Sequence, residues 1–422
     1  MGSPLLKRSR APTGAGPWPY AVWTLTRAWL LACVFKVVTV PGPDVTVDVS
    51  VIYRNWYEVL LTGTYPLDDV TWQYPPGAAL AVLSPALLPF LEYAAAFFVL
   101  VLLCDALVLG LLLYAGRRPG MRAAGAWVWI VGVPLLGPTV YARYDLMVTA
   151  VAVAALLAGV RHPRALGALA ALGALLKGWP VLLLVGVRKG RPTRAAWAAA
   201  ALTTVGLAAA FALWMPGAYA FLAFQRDRGT EVESLGALVF HVARQFGWEG
   251  RVELRYGSLE FLGPQVELVS TLALGLGGLA LGWLVLWRLR AGAFAAHTPA
   301  EAAFTAVLLF TVTSRVISPQ YVVWLVGLAA VCLAFRAAAM TLPAVLVLVA
   351  AGVTLLEFPI GFGHVVASDA WGVTLLLVRN GLLVAASLIA ARRLWRSTVP
   401  GARRGVAKSL VAGGGQPSRV AR

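Results

Sequence analysis

"ALGALAALGALLKGWPVLLLVGV", residues 165–187, is long enough to cross a bilayer, yet it carries Lys177, Gly178 and Pro180 at its centre. Basic loops flank it, "RHPR" (161–164) before and "RKGRPTR" (188–194) after. A single crossing would place these loops on opposite faces and invert every later segment, against the tendency of Lys/Arg loops to stay cytoplasmic. Pro180 also removes a helical hydrogen bond at the midpoint. The stretch therefore reads as two half-helices that dip into the membrane and return, with Lys177 at the tip. A continuous span with a buried lysine is the alternative.

The same rule orders the rest of the chain. "GRRPGMR" (116–122), "WRLR" (287–290) and "ARRLWR" (391–396) belong with the other two basic loops on the cytoplasmic side. Apolar runs predict helices over 21–40, 93–115, 122–140, 145–160, 195–214, 266–289, 300–316, 320–336, 340–358 and 371–391. Residues 77–90, punctuated by Pro85 and Pro89 after Pro75 and Pro76, read as a second re-entrant or interfacial segment, on the outer face. Irregular backbone at membrane depth is tolerated only inside protein or along a cavity, so both breaks point to one.

Composition agrees. Of the residues, 60% are hydrophobic and 13% charged, with mean hydropathy +0.79, against about 25% charged in soluble domains. The expectation is an all-α polytopic membrane protein of about 10–12 transmembrane helices with re-entrant hairpins. A cytoplasmic segment 1–20 precedes a transmembrane domain 21–396 with outer loops 41–76 and 215–265, and a disordered basic tail 397–422 follows. No cleavable signal stands out, and the first apolar run reads as a transmembrane helix. The net charge of +17 follows the inner loops and the tail, a topology signal and not a nucleic-acid surface. Cys33, Cys104 and Cys332 have no metal-like or disulfide-like spacing.

Chemistry concentrates after the first apolar run, in "DVSVIYRNWYEVLLTGTYPLDDVTWQYPP" (48–76). From Val51 to Leu61 the pattern is helical, with Ile52, Trp56, Val59 and Leu60 on one face. Asp48, just before it, is either an N-cap or a carboxylate at the membrane boundary suited to general base work. Tyr53, Glu58, Trp72, Gln73 and Tyr74 crowd the same loop. Arg143 and Asp145 in "YARYDL", Lys177, and Arg315 in "SRVISPQYVVWL" are ionisable groups at depth, and so functional candidates. An Arg143–Asp145 contact or a snorkelling Arg315 would be structural readings. Three cations on one cavity would receive a lipid phosphate. His364 and Asp369, in the last outer loop, lie on the same side. Asp68-Asp69 reads as a solvated turn, and neither a metal site nor a cofactor is expected.

The first loop resembles the Asp–Tyr–Gly–Tyr-Pro-Pro signature of the polyprenyl-phosphate-sugar-dependent GT-C glycosyltransferases. The nearest is glycosyltransferase family 87, which includes the mycobacterial phosphatidylinositol-mannoside mannosyltransferase. "YARYDLMVTAVAVAALL" with "LGALLKGWPVLLL", then "FLAFQRDRGTEVESLGAL" and "TSRVISPQYVVWL", are similar to that family in the expected order, so the likeness covers roughly 45–335. It implies a GT-C bundle with Asp48 as catalytic base on the outer face of the plasma membrane. The donor would be a polyprenyl-phosphate monosaccharide, commonly of mannose, transferred with inversion to a lipid or glycan acceptor without a nucleotide donor. Arg143, Lys177 and Arg315 would contact the donor phosphate; His364, beyond the likeness, joins them by position alone. Tyr53, Trp72, Tyr74, Asp145, Gln320 and Tyr321 would contact substrate. Arg315 stands where relatives often carry Lys, and Gly178 where an aromatic usually follows the lysine. A lipid transporter is the alternative, but it should show internal repeats, and the two broken hairpins differ in sequence and flanks. A scaffold that has lost activity would not need Asp48 or the Tyr-Pro-Pro run.

Overall fold

The structure, a computed structural model, describes residues 16–67, 69–222 and 228–401. Most of the expected N-terminal segment, Asp68, Arg226, Asp227 and the tail beyond 401 lie outside the described residues.

Helix α1 (Trp18–Val34) ends at Val34, short of the predicted limit at 40. The β-branched run Val37-Val38-Thr39-Val40 leads to Pro41, and both features disfavour helix. A π-turn, Asp48–Tyr53, runs into α2 (Arg54–Leu61), which buries Trp56 and Leu60 but leaves Val59 exposed. Asp48 makes no N-cap bond; it sits in the first turn itself. The Pro-rich segment forms α3 (Ala78–Leu83) and a 3₁₀ turn, Ser84–Leu87. Helix α4 (Tyr93–Gly116) follows, then α5 (Ala124–Gly132). The single helix predicted over 122–140 is broken: Pro134–Val140 is a 3₁₀ turn with Gly137 at φ 64°, where proline removes donors and glycine takes a left-handed conformation.

The remaining helices are α6 (Asp145–Gly159), α7 (Pro163–Lys177), α8 (Arg191–Trp214), α9 (Ala237–Arg244), α10 (Val266–Arg290), α11 (Thr298–Thr313) and α12 (Tyr321–Ala334). After them come α13 (Thr341–Leu355), prolonged by the π-turn Leu356–Ile360, α14 (Phe362–Ala367) and α15 (Ala370–Thr398). Among the described residues, 5 helices are long and apolar enough to cross a membrane: Tyr93–Gly116, Arg191–Trp214, Val266–Arg290, Thr341–Ile360 and Ala370–Thr398. Ala78–Leu87, Asp145–Gly159, Thr298–Thr313 and Tyr321–Ala334 are apolar but shorter. The chain is thus a mostly helical, multi-pass membrane protein.

Helix α12 is buried from Val322 to Ala334 and forms the centre of the bundle with α11, one of the two places, protein core or lipid, that suit a helix apolar all round. In α8 and α10 only 11% of the apolar window is buried, so most of their surface faces lipid. At the end of α7 the chain doubles back. Gly178 breaks the helix, Trp179–Leu184 is a 3₁₀ turn, and Pro180 packs onto Gly173. Gly167, early in α7, lies against the carbonyl of Ala196, early in α8. The two helices therefore start side by side, and residues 179–190 return over the length of α7, about 22 Å. A Cβ at Gly167 would overlap the Ala196 carbonyl. Gly167→Ala is expected to push α7 and α8 apart and to destabilise by about 1–3 kcal/mol. Gly206→Ala, with nothing within 4 Å, should be neutral or better; thermal denaturation in detergent compares the two.

The basic loops meet at one end of the bundle. Arg122 Nε donates to Leu333 O (2.9 Å), Arg336 Nε to Met121 O (2.9 Å), Lys189 Nζ to Leu289 O (3.0 Å) and Arg288 Nη2 to Thr193 Oγ1 (2.9 Å). The first loop, the tip of α7 and residues 228–265 share the opposite end. There the expectation of an all-α chain needs correction. β1 (Thr230–Glu231), β2 (Arg251–Arg255) and β3 (Ser258–Leu262) form an antiparallel sheet in the order β1-β3-β2. "RVELRYGSLEFL" (251–262) alternates along each strand around a two-residue turn, with φ of 50° at Tyr256 and 78° at Gly257, the geometry of a tight hairpin.

Candidate active site

A cavity of about 880 Å³ lies between the first loop, the sheet, the tip of α7 and the α10–α11 pair. Its polar end is built by crossed ion pairs. Arg143 Nη2 holds Asp48 Oδ2 at 2.9 Å, and Nη1 donates to Val45 O (3.0 Å) and Ala142 O (2.7 Å). Among the described residues Asp48 Oδ1 takes no hydrogen bond, and the side chain is 32% exposed beside a 10% exposed arginine. Lys177 Nζ reaches both oxygens of Asp145, at 2.7 and 2.9 Å, and Trp324 Nε1 donates to Oδ1 at 2.8 Å. The rings of Tyr74, Tyr144, Tyr321 and Trp324 surround the ammonium at 5.1 to 5.4 Å. No Arg143–Asp145 contact forms; each residue takes a partner from another element.

Arg143 and Lys177 line the cavity, but each already faces a carboxylate. Arg315 also lines it, and its Nη1 donates to Arg228 O (2.7 Å) and Ser270 Oγ (3.3 Å). Tyr53, Tyr74, Gln320 and Tyr321 lie on the wall. Asp145 and Trp72 do not line the cavity: Asp145 is buried beneath Lys177, and Trp72 sits behind the wall against Trp56 and Tyr74, with ring centroids at 5.0 and 6.1 Å. His364 lies outside the lining; its imidazole bonds to Asp369, whose Oδ1 caps α15 at Gly372 N (3.0 Å). The short α14 and the cap turn that ring outward. Asp69 is engaged by Thr71 N (2.8 Å), Thr71 Oγ1 (2.6 Å) and Trp56 Nε1 (2.7 Å). Burial would raise its carboxyl, but those bonds outweigh burial and hold it below the usual range.

Sequence reasoning missed Arg228, Glu231 and Glu233, which the sheet brings to the cavity. Arg228 Nη2 donates to Ser258 Oγ (2.6 Å), and its Nε lies 3.6 Å from Glu260 with no hydrogen bond. Glu231 accepts from Ile317 N (2.6 Å) and Ser318 Oγ (3.0 Å), fastening β1 to the loop that carries Arg315. Burial pushes the carboxyls of Glu231 and Glu233 up, Glu233 further because Glu357 and Glu231 add like charge. The alternation of 251–262 and its Tyr-Gly turn were the signal that could have located these residues.

The other end of the cavity is an apolar slot. Ala273, Leu274, Gly277, Ala280, Leu281 and Leu284 of α10 face Leu309 and Phe310 of α11. From Ala273 to Leu284 the slot follows α10 for about 16 Å, along a helix whose outer surface faces lipid. A charged head is thus joined to an apolar slot along α10.

No curated protein and no solved structure matches the chain. The model of glycosyltransferase family 87 matches residues 72–319, more than half of the 422 residues. The chain belongs to glycosyltransferase family 87, and with its membrane-embedded bundle it is an integral membrane glycosyltransferase.

Proposed function

We propose that the enzyme transfers a sugar, mannose in the first instance, from a polyprenyl-phosphate donor to a hydroxyl of a lipid or glycan acceptor, with inversion. The observation that carries this reading is the cavity itself, a charged head continuous with an apolar slot beside lipid-facing α10. The slot takes the polyprenyl chain. Arg228 and Arg315, both lining the cavity, face the phosphate and stabilise it as it departs. Asp48 removes the proton from the acceptor hydroxyl as it attacks the anomeric carbon on the face opposite the phosphate, through an oxocarbenium-like transition state. Arg143 positions that carboxylate. Asp48 precedes the family match at 72, so its role rests on this geometry and on the resemblance of the first loop.

In the same reading the architecture is of GT-C type. The hairpin of α7 and residues 179–190, and the segment Ala78–Leu87, enter and leave the membrane on one side. The basic loops lie in the cytoplasm, and the site opens on the extracytoplasmic face of the plasma membrane.

The test uses full-length protein in lipid nanodiscs with polyprenyl-phosphate mannose and an acceptor lipid extract, read by mass spectrometry for transfer and by direct binding for the donor. Binding followed by transfer is expected; absence of donor binding would overturn the reading. Arg228→Gln is expected to weaken donor binding about tenfold or more, the range for losing a charge-assisted contact. Raising salt should narrow the gap between the two proteins.

A further inference from the structure

We infer that Glu233 recognises the hydroxyl groups of the transferred sugar and determines which sugar the enzyme accepts. This rests on the donor reading above. Glu233 stands in the turn after β1, is 4% exposed and lines the cavity. Its backbone is fastened from behind, since its carbonyl accepts from Arg379 Nη2 and from Asn380 Nδ2 (3.3 Å) of α15. Its side chain is not saturated. Oε1 takes no hydrogen bond, and Arg379 Nη1 lies 3.5 Å away. That same nitrogen is 2.8 Å from Glu357 Oε2, so two buried carboxyls share one guanidinium.

A buried oxygen without a hydrogen bond carries a penalty that disappears when a donor arrives. Three observations identify that donor as a sugar hydroxyl. First, among the described residues no group of three or more His, Cys, Asp or Glu side chains is arranged to hold a metal ion. Second, on the donor reading the phosphate faces Arg228 and Arg315, whose segments meet at β1 through Arg315 Nη1 to Arg228 O and Ile317 N to Glu231. A glycosyl phosphate carries its ring one oxygen from phosphorus, so the ring falls beside the residues just past that strand. Third, Phe358 and Phe362 line the same cavity and pack edge to face at 5.0 Å, offering it an apolar surface. Hydroxyls on an edge and C–H groups on a face are what a pyranose presents. Burial and the like charge of Glu357 and Glu231 push the Glu233 carboxyl up.

The experiment measures binding to nanodisc-embedded wild type, Glu233→Gln and Glu233→Asp. The probes are a sugar-free polyprenyl phosphate, polyprenyl-phosphate mannose and polyprenyl-phosphate glucose. Wild type is expected to prefer one sugar by about tenfold or more. Glu233→Gln should lose most of that preference while binding the sugar-free lipid as wild type does. Glu233→Asp keeps a carboxyl group on the Arg379 side while drawing it back, and guards against a variant that fails to fold; it should also lose preference. Unchanged preference in both variants, or a wild type that does not distinguish the sugars, overturns the inference while leaving the donor reading intact. A wild type that binds none of the three lipids overturns the donor reading and the inference with it.

Discussion

Asp48→Asn is expected to fold, bind donor lipid like wild type, and lose transfer by about 10²–10⁴-fold, the contribution of a positioned general base. The substitution keeps the size of the side chain and removes the negative charge that Arg143 Nη2 contacts at 2.9 Å. Arg143 keeps its bonds to Val45 O and Ala142 O, so the loop should hold its place. A loss confined to kcat, with donor affinity unchanged, identifies Asp48 as the base. Full activity in a folded variant would remove Asp48 from the mechanism and turn attention to Glu231 and Glu233 on the opposite wall. Arg143→Lys should show an intermediate loss, because the ammonium keeps the charge without the fork that spans both carbonyls and the carboxylate.

The largest effect on stability is expected far from the cavity, at Asp105. This carboxylate is 0% exposed and accepts from Arg27 Nε (2.8 Å), Arg27 Nη2 (3.2 Å), Trp23 Nε1 (2.9 Å), Trp129 Nε1 (2.7 Å) and Tyr141 Oη (2.7 Å). It ties α1, α4, α5 and the turn after α5 together at one point. Asp105→Ala leaves Arg27 buried and uncompensated, and should cost about 3–5 kcal/mol. The double change Arg27→Met with Asp105→Leu should recover much of that, because it removes both charges. Thermal unfolding of wild type and the two variants in detergent gives the comparison. Equal losses in the single and double variants would show that the indoles and Tyr141, and not the buried charge, set the cost.

The sequence located what depends on periodicity and charge. The spans of α4, α8, α10, α13 and α15 and the break at Lys177-Gly178 are visible because long apolar runs and misplaced helix breakers are local signals. The wall residues Tyr53, Tyr74 and Tyr321 were visible as polar aromatic residues set in apolar surroundings, whereas Gln320 came only with the stretch that carries the resemblance. Partner choice was not. Arg143 and Asp145 are two residues apart, and nothing local says that they turn to Asp48 and Lys177. The sheet was missed because its strands are short and rich in charge, so a hydropathy reading takes them for loop. His364 was assigned by its side of the membrane alone, and a six-residue helix with its cap was enough to point it elsewhere.

The Lys177–Asp145 pair also constrains how the chain is made. A lysine or aspartate entering the bilayer alone costs about 2.5–3.5 kcal/mol at mid-membrane. Asp145 opens α6 and leaves the ribosome 32 residues before Lys177, the cation that pairs with it in the fold. The two segments are therefore expected to leave the translocon as one unit, held in its lateral gate until ammonium and carboxylate join. A nascent chain arrested after α6 should remain associated with the insertion machinery, and one extended beyond Lys177 should be released into lipid.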